Sequence, residues 1–236
     1  MCFSANASFG SAAVLSLIGV VTMRKTSTST QLALGCFPFI FALQQLSEGF
    51  VWLSFTSLST AGWQSIPIYS FLVFSHVVWP IWIPLSIFLL EKRNDRKIML
   101  YVMVGIGLIL SIYHVFCLVF YSVTTQINGH HLQYVIDHPK ALLLPGNVLY
   151  GMATIIPAFI SSVRRMWWLG FFIIISYLGT YLFYQAYVIS VWCFFATLMS
   201  GIVYLILVKL QGVSAFAGEI TTVKREVLSD DSTGGL

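Results

Sequence analysis

The chain is 236 residues long, 58% apolar and only 8% charged, with a net charge of +4. A soluble domain carries roughly 25% charged residues. A water-soluble fold of this size has no interior large enough for so much apolar surface, so lipid is the solvent for most of it. Eleven of the twelve basic residues fall in one set of connections or in the C-terminal tail, a pattern of retention at the cytoplasmic face of a membrane, which sets nucleic acid aside as a partner.

Taken in chain order, the apolar stretches predict seven membrane-spanning helices at about 8–23, 32–54, 67–91, 97–122, 142–163, 168–184 and 188–209, most of them near the ~20 residues a span requires. Arg24 and Lys25 follow the first, and the connection after the second, 55–66, has no charge. Lys92, Arg93, Arg96 and Lys97 follow the third, whereas the connection after the fourth holds only Lys140 and Asp137. Arg164 and Arg165 follow the fifth, the next turn is uncharged, and Lys209, Lys224 and Arg225 come last. Positive charge alternates in phase with the spans, which predicts an outside N-terminus and a cytoplasmic C-terminus. The first apolar stretch precedes its basic pair, the reverse of a cleavable signal peptide. The polar stretch 211–236 reads as a short disordered cytoplasmic tail behind one transmembrane domain, 1–210. The expected fold class is therefore all-α: a seven-helix bundle, multi-pass in a cell membrane, with the lipid bilayer as its first partner.

Pro80 and Pro84 predict a kink in the third helix, and Pro157 one in the fifth. Trp52, Trp63, Trp79, Trp82, Trp167, Trp168 and Trp192 mostly fall near predicted helix ends, where a headgroup belt would place them. Cys2, Cys36, Cys117 and Cys193 lack the CxxC spacing of a zinc ribbon or a thioredoxin-like site.

The ionisable groups inside the spans are Glu48, His76 and His114. At ~1.5 Å per residue, all three lie roughly 8–14 Å below the outer boundary, with Cys193 at a similar depth. Gln44 and Gln45 share a helical face with Glu48, and Ser111 and Cys117 share one with His114. An ionised group turned to lipid at mid-bilayer costs about 3 kcal/mol. The polar faces are therefore expected to meet one another or a wet cavity in the outer half. The outer connection 128–139 adds His130, His131, Tyr134 and His138 after an Asn-Gly turn signal. As a helix it would put His131, Tyr134 and His138 on one face, as a lid over the mouth of the bundle. Cys2, freed as the terminus by loss of Met1, would place a thiol beside an amine on the same side.

The chain resembles an uncharacterised bacterial family of small polytopic membrane proteins. The resemblance rests on the opening Met1-Cys2-Phe3-Ser4-Ala5 and on Ala7-Ser8-Phe9, then on Gln44-Gln45 with Glu48-Gly49 and Val51-Trp52-Leu53. Trp79-Pro80, His131 with Tyr134, and Val191-Trp192-Cys193-Phe194-Phe195-Ala196 complete it. It implies no activity, but it singles out Cys2, Ser4, Glu48, His131, Trp192 and Cys193. The seven-helix hydrolases that include alkaline ceramidases are similar in topology and in carrying histidines, an acid and a serine within the bundle. Their His-x-x-x-His pair in the last helix is missing from 188–209. A retinal protein is disfavoured, because Lys209 sits at the cytoplasmic end of its helix.

Two function classes follow. The first is a binding or sensing protein that takes a small molecule, a lipid headgroup or an ion, with Glu48, Gln44, His131, Tyr134, Trp192 and Cys193 as contacts. The second is a metal-dependent hydrolase of a lipid or amide, with Glu48, His76, His114 and His131 around zinc. A transporter is a third reading, opposed by inner halves that are nearly wholly apolar.

Overall fold

The computed structural model describes residues 4–56, 62–128, 131–137, 143–183 and 195–212. These are overwhelmingly helical, so the all-α class holds. Helix α1 (Ala5–Met23) opens on Ser4, whose hydroxyl accepts the Ala7 amide at 3.3 Å and caps the first turn. Helices α2 (Ser29–Gly35) and α3 (Phe37–Thr56) form one rod broken at Cys36. The break falls just before Pro38, which brings no N–H to the turn preceding it. A second rod consists of α4 (Ser65–Leu72), a π-helical segment (Val73–Val78) and α5 (Trp79–Leu90). Helix α6 (Asn94–Phe120) follows. After it come strands β1 (Val123–Asn128) and β2 (His131–Ile136), then α7 (Leu143–Ile160), α8 (Met166–Phe183) and α9 (Ala196–Gly212).

Four helical stretches, Ala5–Met23, Ser29–Thr56, Ser65–Leu90 and Asn94–Phe120, are long and apolar enough to cross a membrane. The apolar helices Pro145–Ile160, Met166–Thr180 and Ala196–Gly212 are shorter. The first six overlap the expected segments; of the seventh, expected over 188–209, the helix is described from Ala196 to Gly212. The expected turn near Gln185 and the tail beyond Gly212 lie outside the described residues.

The outward faces are apolar. Leu17, Ile98, Ile109, Ile112, Val119 and Phe120 are each at least 62% exposed, whereas Ser8, Glu48, Ser86, Ser176 and Ser200 are at 0%. Large apolar faces outside and hydroxyls between helices reverse the arrangement of a water-soluble protein and suit hydrocarbon as the surrounding solvent. Helices α1 and α3 pack closely and antiparallel through a reciprocal pair. Phe9 of α1 sits over Gly49 of α3, and Phe39 of α3 sits over Gly19 of α1.

Two expectations are corrected, and a third, the kink at Pro80 in the third helix, is refined. Residues 131–136 form a strand rather than a helix, antiparallel to β1 and paired from Asn128↔His131 to Val123↔Ile136. The reversal comes beside the Asn128-Gly129 step, but alternation along a strand puts His131 and Tyr134 on opposite faces. The shared helical face of His131, Tyr134 and His138 does not form, and His138 itself lies outside the described residues. Second, Pro80 is accommodated by a π segment. The Trp79 amide bonds to the Phe74 carbonyl, five residues back, and the widened turn makes room for the proline ring. Third, Trp52 and Trp79 are 6% and 1% exposed and belong to the interior, not to an interfacial belt. Trp82 is half-buried and donates to the Ala33 carbonyl at 2.9 Å. Trp63, Trp167 and Trp168 are exposed, as a belt requires.

Candidate functional site

Two apolar clusters divide the described core. One gathers Leu34, Phe41, Trp79, Ile87, Met166 and Val203; the other gathers Val51, Trp52, Phe71, Leu72, Leu118 and Leu132. The polar residues of α3 lie between them in sequence and in burial. Gln44, Gln45 and Glu48 are 3%, 1% and 0% exposed. Gln45 donates through Nε2 to the Glu48 Oε2 at 3.3 Å, and the Trp79 Nε1–H donates to Gln44 Oε1 at 2.7 Å.

The Trp79–Gln44 bond fixes the register of the two antiparallel rods. Glu48 stands one turn beyond Gln44, and Ser75 and His76 stand about one turn before Trp79. Glu48 is therefore level with the π segment. There His76 packs edge-on against His114 of α6, with ring centroids 5.1 Å apart. Its Nδ1 lies 2.8 Å from the Ser75 hydroxyl. Depth reckoned from topology had placed Glu48, His76 and His114 in one layer, and the structure brings the two imidazoles into contact there.

Hydroxyls from two other helices hold the π segment. In π register the Ser75 carbonyl would take the amide of residue 80, but Pro80 has none. Tyr150 of α7 supplies the missing donor at 2.7 Å. Ser111 of α6 donates to the Val77 carbonyl, also at 2.7 Å. Sequence reasoning put Ser111 on the right face but missed Tyr150. The signal was Pro80 itself, which strips a donor from a buried helix and obliges a neighbour to provide one.

The hairpin covers the second cluster. Leu132 is 1% exposed, and the Tyr134 ring stacks on Phe71 with centroids 4.7 Å apart. Tyr134 thus faces the bundle, while His131 lies on the other face of the strand. The expected contacts Trp192 and Cys193 fall outside the described residues, as does Cys2. Among the described residues no three His, Cys, Asp or Glu side chains converge as a metal site requires. Of the four expected ligands Glu48, His76, His114 and His131, the ring contact joins His76 to His114. A groove of about 400 Å³ between α1 and α3 is apart from this layer. Phe9, Ala12, Phe39, Ala42, Leu43 and Leu46 line it, without an ionisable group.

Sequence reasoning also missed Glu91. It follows α5 and is 2% exposed. Its carboxylate accepts the Lys92 and Arg93 amides at 3.0 Å each, the Ser162 amide at 2.6 Å, and the Ser162 hydroxyl. Burial pushes the carboxyl up, but the bonds from Ser162, Arg93 and Lys92 outweigh it and hold the group below the ordinary carboxylate range. An acid within a run of basic residues was the available signal.

The arrangement defines a class: a helical, apolar protein with buried amides and one buried carboxylate, level with two half-buried imidazoles. The chain belongs to a family of unknown function, DUF6629, whose model matches residues 1–217. No curated protein and no solved structure matches it.

Proposed function

We propose that the chain is a seven-span protein of the cell membrane, N-terminus outside, which binds or senses a small molecule, a lipid headgroup or an ion in the outer half of its bundle. The observation that carries this reading is the burial of Gln44, Gln45 and Glu48 at 3% exposure or less, level with the His76–His114 contact. Interhelical bonding of the Trp79–Gln44 kind accounts for a buried amide but does not require a carboxylate beside it. Intramembrane ionisable groups are costly and mark ligand or ion sites. Glu48 is the polar anchor, Gln44 and Gln45 fix its face, and Tyr134 closes the layer from the hairpin side. His131, Trp192 and Cys193 are further contacts on the outer side.

The test is native mass spectrometry and thermal unfolding of detergent-purified protein with Glu48→Gln beside the wild type. A bound species lost from the variant, with a shifted unfolding temperature, supports the reading. No change in either overturns it. A metal-dependent hydrolase is a second reading. The His76–His114 contact favours it, and further ligands would have to come from outside the described residues. Stoichiometric zinc in the purified protein would favour it over the first.

A further inference from the structure

Most described Ser and Thr hydroxyls inside the helices bond back to a carbonyl three or four residues earlier: Ser11 to Ala7, Thr22 to Ile18, Ser54 to Val51, Thr180 to Ser176. Inward-facing indoles are likewise served, Trp79 by Gln44 and Trp82 by the Ala33 carbonyl. Ser200 of α9, at 0% exposure, breaks the pattern, and so do two residues at the outer end of the polar layer. Ser8 is 0% exposed and Trp52 is 6% exposed, yet among the described residues neither the Ser8 hydroxyl nor the Trp52 Nε1–H has a hydrogen-bond partner. Such groups in native proteins call for a partner beyond the described residues, because burying a donor unpaired is costly.

Their placement is not random. Trp52 is one turn beyond Glu48 on the same face of α3. The contacts of Phe9 with Gly49 and of Phe39 with Gly19 set the α1–α3 register and bring Ser8 level with residues 49–50, within two residues of Trp52 along the axis. Thr125 Oγ1, buried and also without a partner among the described residues, lies on the hairpin face that carries Tyr134, its cross-strand neighbour. Three hydroxyl or indole groups from three elements thus border the layer that holds Glu48.

We infer that Trp52 and Ser8 contact the ligand, and that the ligand presents an acceptor oxygen of carbonyl, carboxylate or phosphoryl type to them. An indole N–H only donates, so a purely cationic or metal ligand cannot satisfy Trp52. This rests on the binding reading above and narrows its ligand class. The acceptor can belong to a free metabolite or to a lipid headgroup.

The protein is extracted in mild detergent as wild type, Trp52→Phe, Ser8→Ala and Glu48→Gln, and bound species are counted by native mass spectrometry. Fragmentation separates a phospholipid from a free metabolite and reveals whether an acceptor oxygen is present. The expected result is a bound species in the wild type whose occupancy falls roughly tenfold in Trp52→Phe, the scale of one lost hydrogen bond. Ser8→Ala, which keeps α1 packing, should lower it too and carries the test if Trp52→Phe does not fold. Wild-type occupancy in the folded variants, or a ligand without an acceptor oxygen, overturns this inference and leaves the Glu48 reading standing. A wild type with nothing bound overturns both.

Discussion

The Glu91 carboxylate accepts both the amide and the hydroxyl of Ser162, 71 residues further along the chain. This ties the turn after α5 to the turn after α7, where Arg96 also donates to the Ile160 carbonyl at 2.9 Å. Replacement by Ala leaves two amides of its own turn and one of the facing turn without their acceptor. Glu91→Ala should lose about 1–3 kcal/mol, and Glu91→Gln less, because the amide oxygen keeps part of the set. Thermal unfolding in detergent checks the order.

The same carboxylate predicts an acid limb. Its pKa is lowered below 4.5 by the folded structure. A depressed carboxyl contributes stability that is fully present above the unfolded value and is lost as pH falls through the folded one. Unfolding temperature in the wild type should therefore drop below about pH 4.5 more steeply than in Glu91→Gln, which cannot titrate there. Parallel slopes for the two proteins would contradict the assignment.

Tyr150 and Pro80 make a compensating pair. Tyr150→Phe removes the donor that Pro80 fails to bring to the Ser75 carbonyl. It should cost about 1–2 kcal/mol. Pro80→Ala returns a backbone N–H to the rod, so the double variant should recover part of the loss. A double-mutant cycle in thermal unfolding measures the coupling, and strict additivity would argue against it.

Much of this architecture was legible in the sequence because hydropathy and length act locally. The rods from Ala5 to Phe120 fall within a few residues of their expected bounds. Spacing along the helices put His76 and His114 at a common depth, where their rings pack edge-on. What was not legible depended on pairing between distant elements. A hairpin and a helix both satisfy the 131–136 pattern, and only contact of Leu132 and Tyr134 with the cluster around Trp52 and Phe71 decides between them. The π register of Val73–Val78 follows from Pro80 only if Tyr150 and Ser111 stand ready to serve the freed carbonyls. Ser162 as the partner of Glu91 had no sequence signature at all.

Gly107 offers a test with an internal control. Pro84 leaves the Pro80 carbonyl without its helical donor, and α6 approaches that carbonyl so closely that a Cβ on Gly107 would stand 1.9 Å from the oxygen. Backbone cannot swing aside as a side chain can. Gly107→Ala should cost 3 kcal/mol or more, at or beyond the usual ~1–3 kcal/mol of overpacking, or prevent folding. Gly105→Ala, two residues away with nothing within 4 Å of its Cβ, should be neutral or slightly stabilising in the same helix. Equal behaviour of the two would rule out the close approach.

The packing of α1 on α3 predicts a rescue. A Cβ on Gly49 would meet the Phe9 ring at 2.6 Å, a clash with a movable side chain rather than with backbone. Gly49→Ala should therefore destabilise by about 1–2 kcal/mol, with a smaller residue at position 9 relieving most of it. Phe9→Leu alone opens space over Gly49 and should cost about 1 kcal/mol. Combined with Gly49→Ala, it should cost less than the two singles added together. Because Gly49 adjoins Glu48, the doubly substituted protein also reports on the polar layer. Recovered stability with unaltered ligand occupancy would separate helix packing from binding, whereas stability that stays lost would mean that the Phe9 ring is not what a Cβ at position 49 meets.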